Sequence, residues 1–219
     1  MTIGCVVTAC GIPQKIIDTF LAANRFQDKG INLYITSHWD DNLIAPGAII
    51  TEIEPRPVFN IGYAANVSIR EAIKKCDIIV KTDIDCVMST DCLEQIKQTD
   101  IFIGFCYRYW EVDNISKISE AVINTRTMGT IALSAIDWRC LRGYDERLEG
   151  YGFDDRHIYD RAKRQGININ VISEPKVYHI SHNKKHNCDT INPVMRDKNT
   201  LNRVEWIKQE SSIRWGCNP

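Results

Sequence analysis

The chain has no apolar run approaching 18 residues, which excludes a membrane-spanning helix on length alone. It also has no Cys-x-x-Cys pair. Its nine cysteines are scattered and odd in number, which points to neither a zinc site nor a dithiol redox centre, and they read as reduced, small core residues. The N-terminus lacks a basic segment, a long apolar segment and a small-residue cleavage site, so the expectation is a complete protein of the bacterial or viral/host cytoplasm with no membrane insertion. Internal repeats, low-complexity tracts and an obvious interdomain linker are missing. Charge of one sign is missing too: the net charge is −1, although residues 1–138 carry 12 basic and 17 acidic side chains and residues 139–219 carry 15 and 11. The basic C-terminal third suits an anionic ligand, but no dense basic patch supplies the phosphate contacts of a DNA-binding surface.

What is present is ordinary globular material, 219 residues with 44% hydrophobic and 25% charged side chains, enough for one well-buried domain. Strand-like and helix-like segments alternate. Ile3–Ala9 reads as a strand, Pro13–Asn24 as a helix, and Ile31–Ser37 and Ala48–Ile53 as strands. Then come a helix over Gly62–Lys75, a strand over Asp77–Thr82, a short helix over Thr90–Gln98 and a strand over Ile101–Tyr107. Right-handed crossovers turn this rhythm into an α/β fold, a mostly parallel central sheet with flanking helices. After Trp110 a polar stretch through Thr127 reads as a long functional loop. Strands over Ile167–Ile172 and from Val177 to His182 follow, and residues 191–219 read as a C-terminal tail.

The densest chemical signal is Ile78-Ile-Val-Lys-Thr-Asp-Ile-Asp-Cys86, an apolar run that ends in two carboxylates. On an extended segment Asp83 and Asp85 project to the same side. At about 6 Å they repel by roughly 3 kcal/mol at an effective dielectric near 20, a cost that a divalent cation removes. Hard oxygen ligands suit Mn²⁺ or Mg²⁺. Asp-x-Asp alone also fits a strand-end turn or a helix cap, but here it falls at the carboxyl end of a strand, where open α/β sheets gather their ligands.

A second constellation runs from Gly143-Tyr-Asp-Glu-Arg to Gly150-Tyr-Gly-Phe-Asp-Asp-Arg156, with Asp154 and Asp155 opening a helix that closes at Gly166. Together with Asp-x-Asp and the His179-Ile-Ser-His182 segment, this pattern resembles the galactosyltransferase and N-acetylgalactosaminyltransferase group of GT-A glycosyltransferases, over about residues 60–190. That group carries Gly-Phe-Asp-Glu followed by Trp-Gly-Gly-Glu-Asp-Asp; here Tyr151 stands for the Trp, Phe153 for the second Gly, Asp154 for the Glu and Arg156 for the final acid.

The resemblance implies a single GT-A domain, with residues 1–110 as the nucleotide-sugar half and residues 111–190 as the acceptor and catalytic half. It implies transfer of a hexose or N-acetylhexosamine from a nucleotide diphosphate, UDP above all, with inversion. Asp155 would be the catalytic base, and Asp154 would bind the acceptor. Asp85 and Asp83, with His182 or alternatively His179, would hold the metal. Fold position assigns Thr8, Ala9, Cys10, Ser37, His38, Asp40, Asn66 and Asp83 to the nucleotide. Tyr109, Trp110, Tyr151 and Gly152 join Asp154 on the acceptor side, because sugars stack on aromatic faces. The acceptor stays open among a glycan, a protein, a small molecule and a modified base. A nucleotidyltransferase is the competing enzyme class, but Thr8–Pro13 lacks the basic, Gly-rich loop it needs. A non-catalytic glycan- or nucleotide-binding module is the third reading.

Overall fold

A computed structural model of the protein describes residues 1–38, 41–97, 104–148 and 154–180. Its first half keeps the alternation of the sequence: β1 (Ile3–Thr8), α1 (Gln14–Asn24), β2 (Asn32–His38), β3 (Ile49–Ile53), α2 (Ile61–Ala72) and β4 (Ile78–Lys81). Pro13 immediately precedes α1, and the Asn60 side chain caps α2 by accepting from the Tyr63 N–H at 2.7 Å. All four residues of β4 are buried, with Ile78 and Val80 in one apolar cluster and Ile79 in another. Burial on both faces is why this strand reads as a continuous apolar run rather than as an alternating one.

The second half comprises β5 (Cys86–Met88), α3 (Thr90–Lys97), β6 (Gly104–Val112), β7 (Val122–Ser134), α4 (Ala135–Leu141), α5 (Asp154–Arg164) and β8 (Ile169–Ile180). The polar stretch expected as a loop over 111–127 is instead the end of β6, a 3-10 segment at Ile115–Glu120 and the first half of β7. Glu111 pairs with Val122 and Trp110 with Ile123 in an antiparallel ladder. β-branched residues favour the extended form there while Val122 and Ile123 remain exposed, so the segment is strand without being core. The two strands expected around Pro175 form one. Its register against β6 passes from Tyr107↔Ile172 to Tyr109↔Val177, so Ser173–Lys176 bulge out and Pro175 needs no ladder partner.

The eight strands form one sheet in the order β3-β2-β1-β4-β7-β6-β8-β5, with four of the seven pairings parallel. Only Thr82–Asp85 connects β4 to β5, yet three strands lie between them. Four spacings of about 4.8 Å would need ~19 Å in a flat sheet, near the limit of a fully extended connection of that length. The connection is not extended: Cys86 N–H donates to the Asp83 carbonyl at 3.1 Å in a turn. The sheet therefore curls, and its curl brings the end of β4 beside β5 and β8.

Candidate functional site

Lys81 and Asp83 fall on one side of the chain at the end of β4, and a turn closed by the Cys86 N–H, in place of the extended segment expected, carries Asp85 close by. Ligand atoms of Asp83, Asp85 and Cys86 all lie within 4.8 Å of one another. Each Asp83 oxygen has its own partner, Lys81 Nζ at 2.8 Å on Oδ1 and the Tyr109 hydroxyl at 2.8 Å on Oδ2. Asp85 faces the other way, with Oδ2 3.3 Å from His179 Nε2, and its carbonyl accepts from Ile180 N–H at 2.9 Å. The β5–β8 ladder makes this meeting: Cys86 is in register with His179.

The second constellation arrives from α5. Asp155 Oδ1 lies 3.3 Å from Lys81 Nζ and accepts from the Tyr144 hydroxyl at 3.2 Å. Lys81 is 1% exposed and thus bridges Asp83 and Asp155, which stand 72 residues apart in the chain. Burial alone would push its ammonium down, but the charges of Asp155 and Asp83 hold it well above the ordinary lysine range. For Asp155 the favourable helix terminus does not decide the balance. Burial raises its carboxyl well above the usual range, with Lys81 opposing and Asp154 and Asp83 adding to the rise. Asp154, 8% exposed, is likewise raised by burial.

Several predicted residues occupy other places. Tyr109 is 1% exposed, so it offers no face to a sugar; it stacks on His179 with centroids 5.4 Å apart and planes 5° apart. Trp110 is partly covered, its indole N–H donating to the Ser173 carbonyl at 2.8 Å and Lys176 Nζ 4.0 Å from its ring centroid. Asn66 is fully buried. Its side chain accepts from Tyr144 N–H at 2.7 Å and donates to the Tyr144 carbonyl at 2.9 Å and to Glu146 at 3.0 Å, which makes it the pin between α2 and the 143–146 turn rather than a group open to nucleotide. Asp40, Tyr151, Gly152 and His182 lie outside the described residues.

At the carboxyl ends of β1 and β2, the Thr8 and Ser37 hydroxyls are buried with no hydrogen-bond partner among the described residues. Ala9 is buried beside them and donates from its N–H to the Thr36 carbonyl at 2.8 Å. Burial, with Asp41 nearby, pushes the Cys10 thiol up to about 12, so it is no nucleophile. Asp41, not singled out in the sequence, ties the two loops together by accepting from Gly11 and His38 N–H groups at 2.9 Å each. Lys81 and Tyr144 were also missed, although a lone charge at position 81, two residues from Asp83 in a buried strand, was a legible signal.

The donor set fits a divalent ion. Asp85 Oδ2 and His179 Nε2 are separated by 3.3 Å, close to the ~3 Å between adjacent ligands of an octahedral ion bound at about 2.1 Å, and carboxylate with imidazole suits Mn²⁺.

Residues 119–183, which carry β7, α4, α5 and β8, match the family described as the N-terminal domain of galactosyltransferase. Among solved structures, a mutant of Drosophila beta-1,4-galactosyltransferase 7 in complex with manganese, UDP-Gal and xylobiose is similar at a TM-score of 0.62 and 12% identity, over 98% of this chain and 83% of that one. S. aureus TarS in complex with UDP (TM-score 0.60, 12% identity) is covered over 61% of its chain by 83% of this one. A Pyrobaculum calidifontis mannosyltransferase in complex with GDP-Man and Mn²⁺ (TM-score 0.60, 12% identity) is covered over 58% by 84% of this chain. The fold is that of the GT-A glycosyltransferases. Within that class the likeness to the galactosyltransferase group holds, both in the matched segment and in the overall fold. No curated protein matches the chain in sequence. Among the described residues, no helix is long and apolar enough to cross a membrane.

Proposed function

We propose that the protein transfers a sugar from a nucleotide diphosphate, a UDP-hexose or UDP-N-acetylhexosamine, to an acceptor hydroxyl with inversion and with Mn²⁺ or Mg²⁺. The observation that carries this reading is the Lys81 bridge: it joins the Asp-x-Asp turn and the acidic start of α5 in one hydrogen-bonded cluster. The solved relatives in complex with manganese and UDP-Gal, with UDP, and with GDP-Man support the donor class.

In this mechanism Asp85 and His179 would hold the divalent ion, with His182 a further candidate ligand, and the ion would supply countercharge for a leaving diphosphate. Asp83, fixed by Lys81 and Tyr109, would face the ribose. The Thr8 and Ser37 hydroxyls, which have no hydrogen-bond partner among the described residues, would meet the nucleotide together with Ala9, Cys10 and His38, and Asp40 is a further candidate there. Asp155 uses Oδ1 on Lys81 and Tyr144, which leaves Oδ2 to take the proton of the attacking hydroxyl. Burial raises the Asp155 carboxyl and with it its basicity, and the Lys81 charge opposes that rise. Asp154 and Trp110 would bound the acceptor side, with Tyr151 and Gly152 further candidates, and a glycan, protein, small-molecule or modified-base hydroxyl would enter there. Among the described residues seven cysteines are free and five of them are buried, in keeping with a reducing cytoplasmic setting.

The test is slow, acceptor-independent hydrolysis of UDP-sugars. Mn²⁺-dependent UDP release that disappears in Asp85→Ala supports the reading; UDP binding equally tight with and without Mn²⁺ overturns the metal assignment. A nucleotidyltransferase would instead release pyrophosphate from UTP and a sugar phosphate.

A further inference from the structure

Glu111 lies outside both acidic constellations, near the carboxyl end of β6, yet its carboxylate reaches the candidate metal histidine: Oε2 is 2.7 Å from His179 Nδ1. The sheet register builds this contact. Glu111 is in register with His179 across the parallel β6–β8 pair, and side chains of such a pair stand on the same face. Tyr109, two residues earlier on β6, shares that face and stacks on the same imidazole. On the far side, Asn124 of β7 donates to Glu111 Oε1 at 2.9 Å and fixes the carboxylate in turn. Three strands and the β4–β5 turn therefore carry one line of contacts, from Asn124 through Glu111 and His179 to Asp85.

We propose that Glu111 is a positioning residue for the metal centre, orienting His179 so that Nε2 is its ligand atom. The inference rests on the metal-dependent reading above. An ionised carboxylate only accepts, so the ring nitrogen 2.7 Å away must carry hydrogen; in the neutral ring Nδ1 is the donor and Nε2 keeps the lone pair. That lone pair faces Asp85 Oδ2 across 3.3 Å. Carboxylate, imidazole and metal in series is an arrangement that raises ligand basicity and removes the ring flip that would turn Nε2 away. Tyr109 holds the ring plane and Glu111 selects the edge, so neither contact duplicates the other.

The experiment is Mn²⁺ titration of the full chain by calorimetry, without nucleotide, in wild type, Glu111→Ala, Glu111→Gln and Asp85→Ala. Glu111→Ala should weaken Mn²⁺ about 10- to 100-fold, the range found for outer partners of metal histidines. Glu111→Gln keeps an acceptor oxygen but loses the charge, and should weaken Mn²⁺ by about tenfold or less with an unchanged melting temperature. Nitrogen-15 histidine spectra of the Mg²⁺-loaded protein give a signature that a merely structural role would not move: a Nδ1–H ring with Nε2 on the metal in wild type, lost or mixed in Glu111→Ala. If wild type binds Mn²⁺ and both Glu111 variants bind within threefold of it, the Glu111 role is overturned while the metal reading stands. If wild type and Asp85→Ala both take up no Mn²⁺, the metal reading itself fails and the Glu111 role with it. Should Glu111→Ala not fold, the Glu111→Gln affinity and spectrum decide alone.

Discussion

Lys81 Nζ stands 3.3 Å from Asp155 Oδ1, a contact that fastens the end of a central strand to the first turn of α5. Replacing Lys81 by Met leaves Asp83 and Asp155 facing each other without that cation. Breaking a buried pair costs about 3–5 kcal/mol; the carboxylates here keep 28% and 20% exposure, so a loss near 2–3 kcal/mol is expected in thermal or urea unfolding. The pH-rate profile should report the same change, its acidic limb moving upward because Asp155 loses the charge that opposed its rise. Wild-type stability together with an unmoved limb would show that the bridge does neither job.

Asp155→Asn preserves shape and helix-terminal capping but accepts no proton. Turnover should fall by roughly 10²–10⁴, with UDP affinity and melting temperature nearly unchanged. Transfer within threefold of wild type would remove Asp155 as the base, and a product of retained anomeric configuration would do so independently.

His179 links metal uptake to pH. Burial lowers its pKa, but hydrogen bonds and charge from Asp85 and Glu111 outweigh this and raise it from 6.5 to about 9. Because the folded value is the higher one, the stability that it contributes to the metal-free protein is complete below pH 6.5 and is lost as pH rises through about 9. Metal must displace that proton, so Mn²⁺ affinity should climb over the same window by up to tenfold per pH unit. Melting curves and Mn²⁺ titrations between pH 6 and 9.5 should run in opposite directions.

Gly129→Ala should damage the site through sterics alone. A Cβ there would fall 2.1 Å from the Tyr109 hydroxyl and 2.8 Å from Asp83 Oδ2, displacing the contact that fixes the first acid of Asp-x-Asp. The expected result is a large loss of activity, with a stability loss of about 1–3 kcal/mol from overpacking. A kinetically normal variant would mean that the Tyr109–Asp83 contact is dispensable.

Asn66→Ala separates two roles. As the pin of the 143–146 turn, Asn66 should cost about 2–4 kcal/mol when truncated, since it leaves backbone groups of Tyr144 buried and unpaired, and kcat should fall because Tyr144 supports Asp155. As a nucleotide contact it would instead raise donor KM at unchanged stability.

The sequence was most legible where one local rule governs. β1 to β4 and their helices follow from apolar periodicity, Pro13 and Gly30, because each element meets its neighbour within a short stretch of chain. The acidic pairs were legible as candidates because they occur together with a histidine segment, whereas either pair alone also fits a turn or a helix cap. The Lys81–Asp155 contact, Tyr144 and Glu111 were not, because those partners are set by the curl of the sheet and by long-range register, which no local pattern encodes. Tyr109 misled for a related reason: an aromatic near a strand end looks like a platform until its register is known, and pairing with Val177 brings His179, two residues on, over its ring.

The placement of β8 has a consequence for how the protein is made. β8 is the last described strand in the chain, yet it lies between β6 and β5, and β5 has no other strand partner among the described residues. While the chain leaves the ribosome, the segment carrying Asp85 must wait for about 90 further residues before its ladder can close, a delay of ~5–20 s at ordinary elongation rates. An unfinished chain would present the acidic turn without its histidine and without the carboxylate behind it. The Asp85–His179 contact can therefore close only after synthesis has passed residue 179, so on the proposed reading a nascent chain would hold neither metal ion nor nucleotide sugar before the rest of the sheet is there to use it.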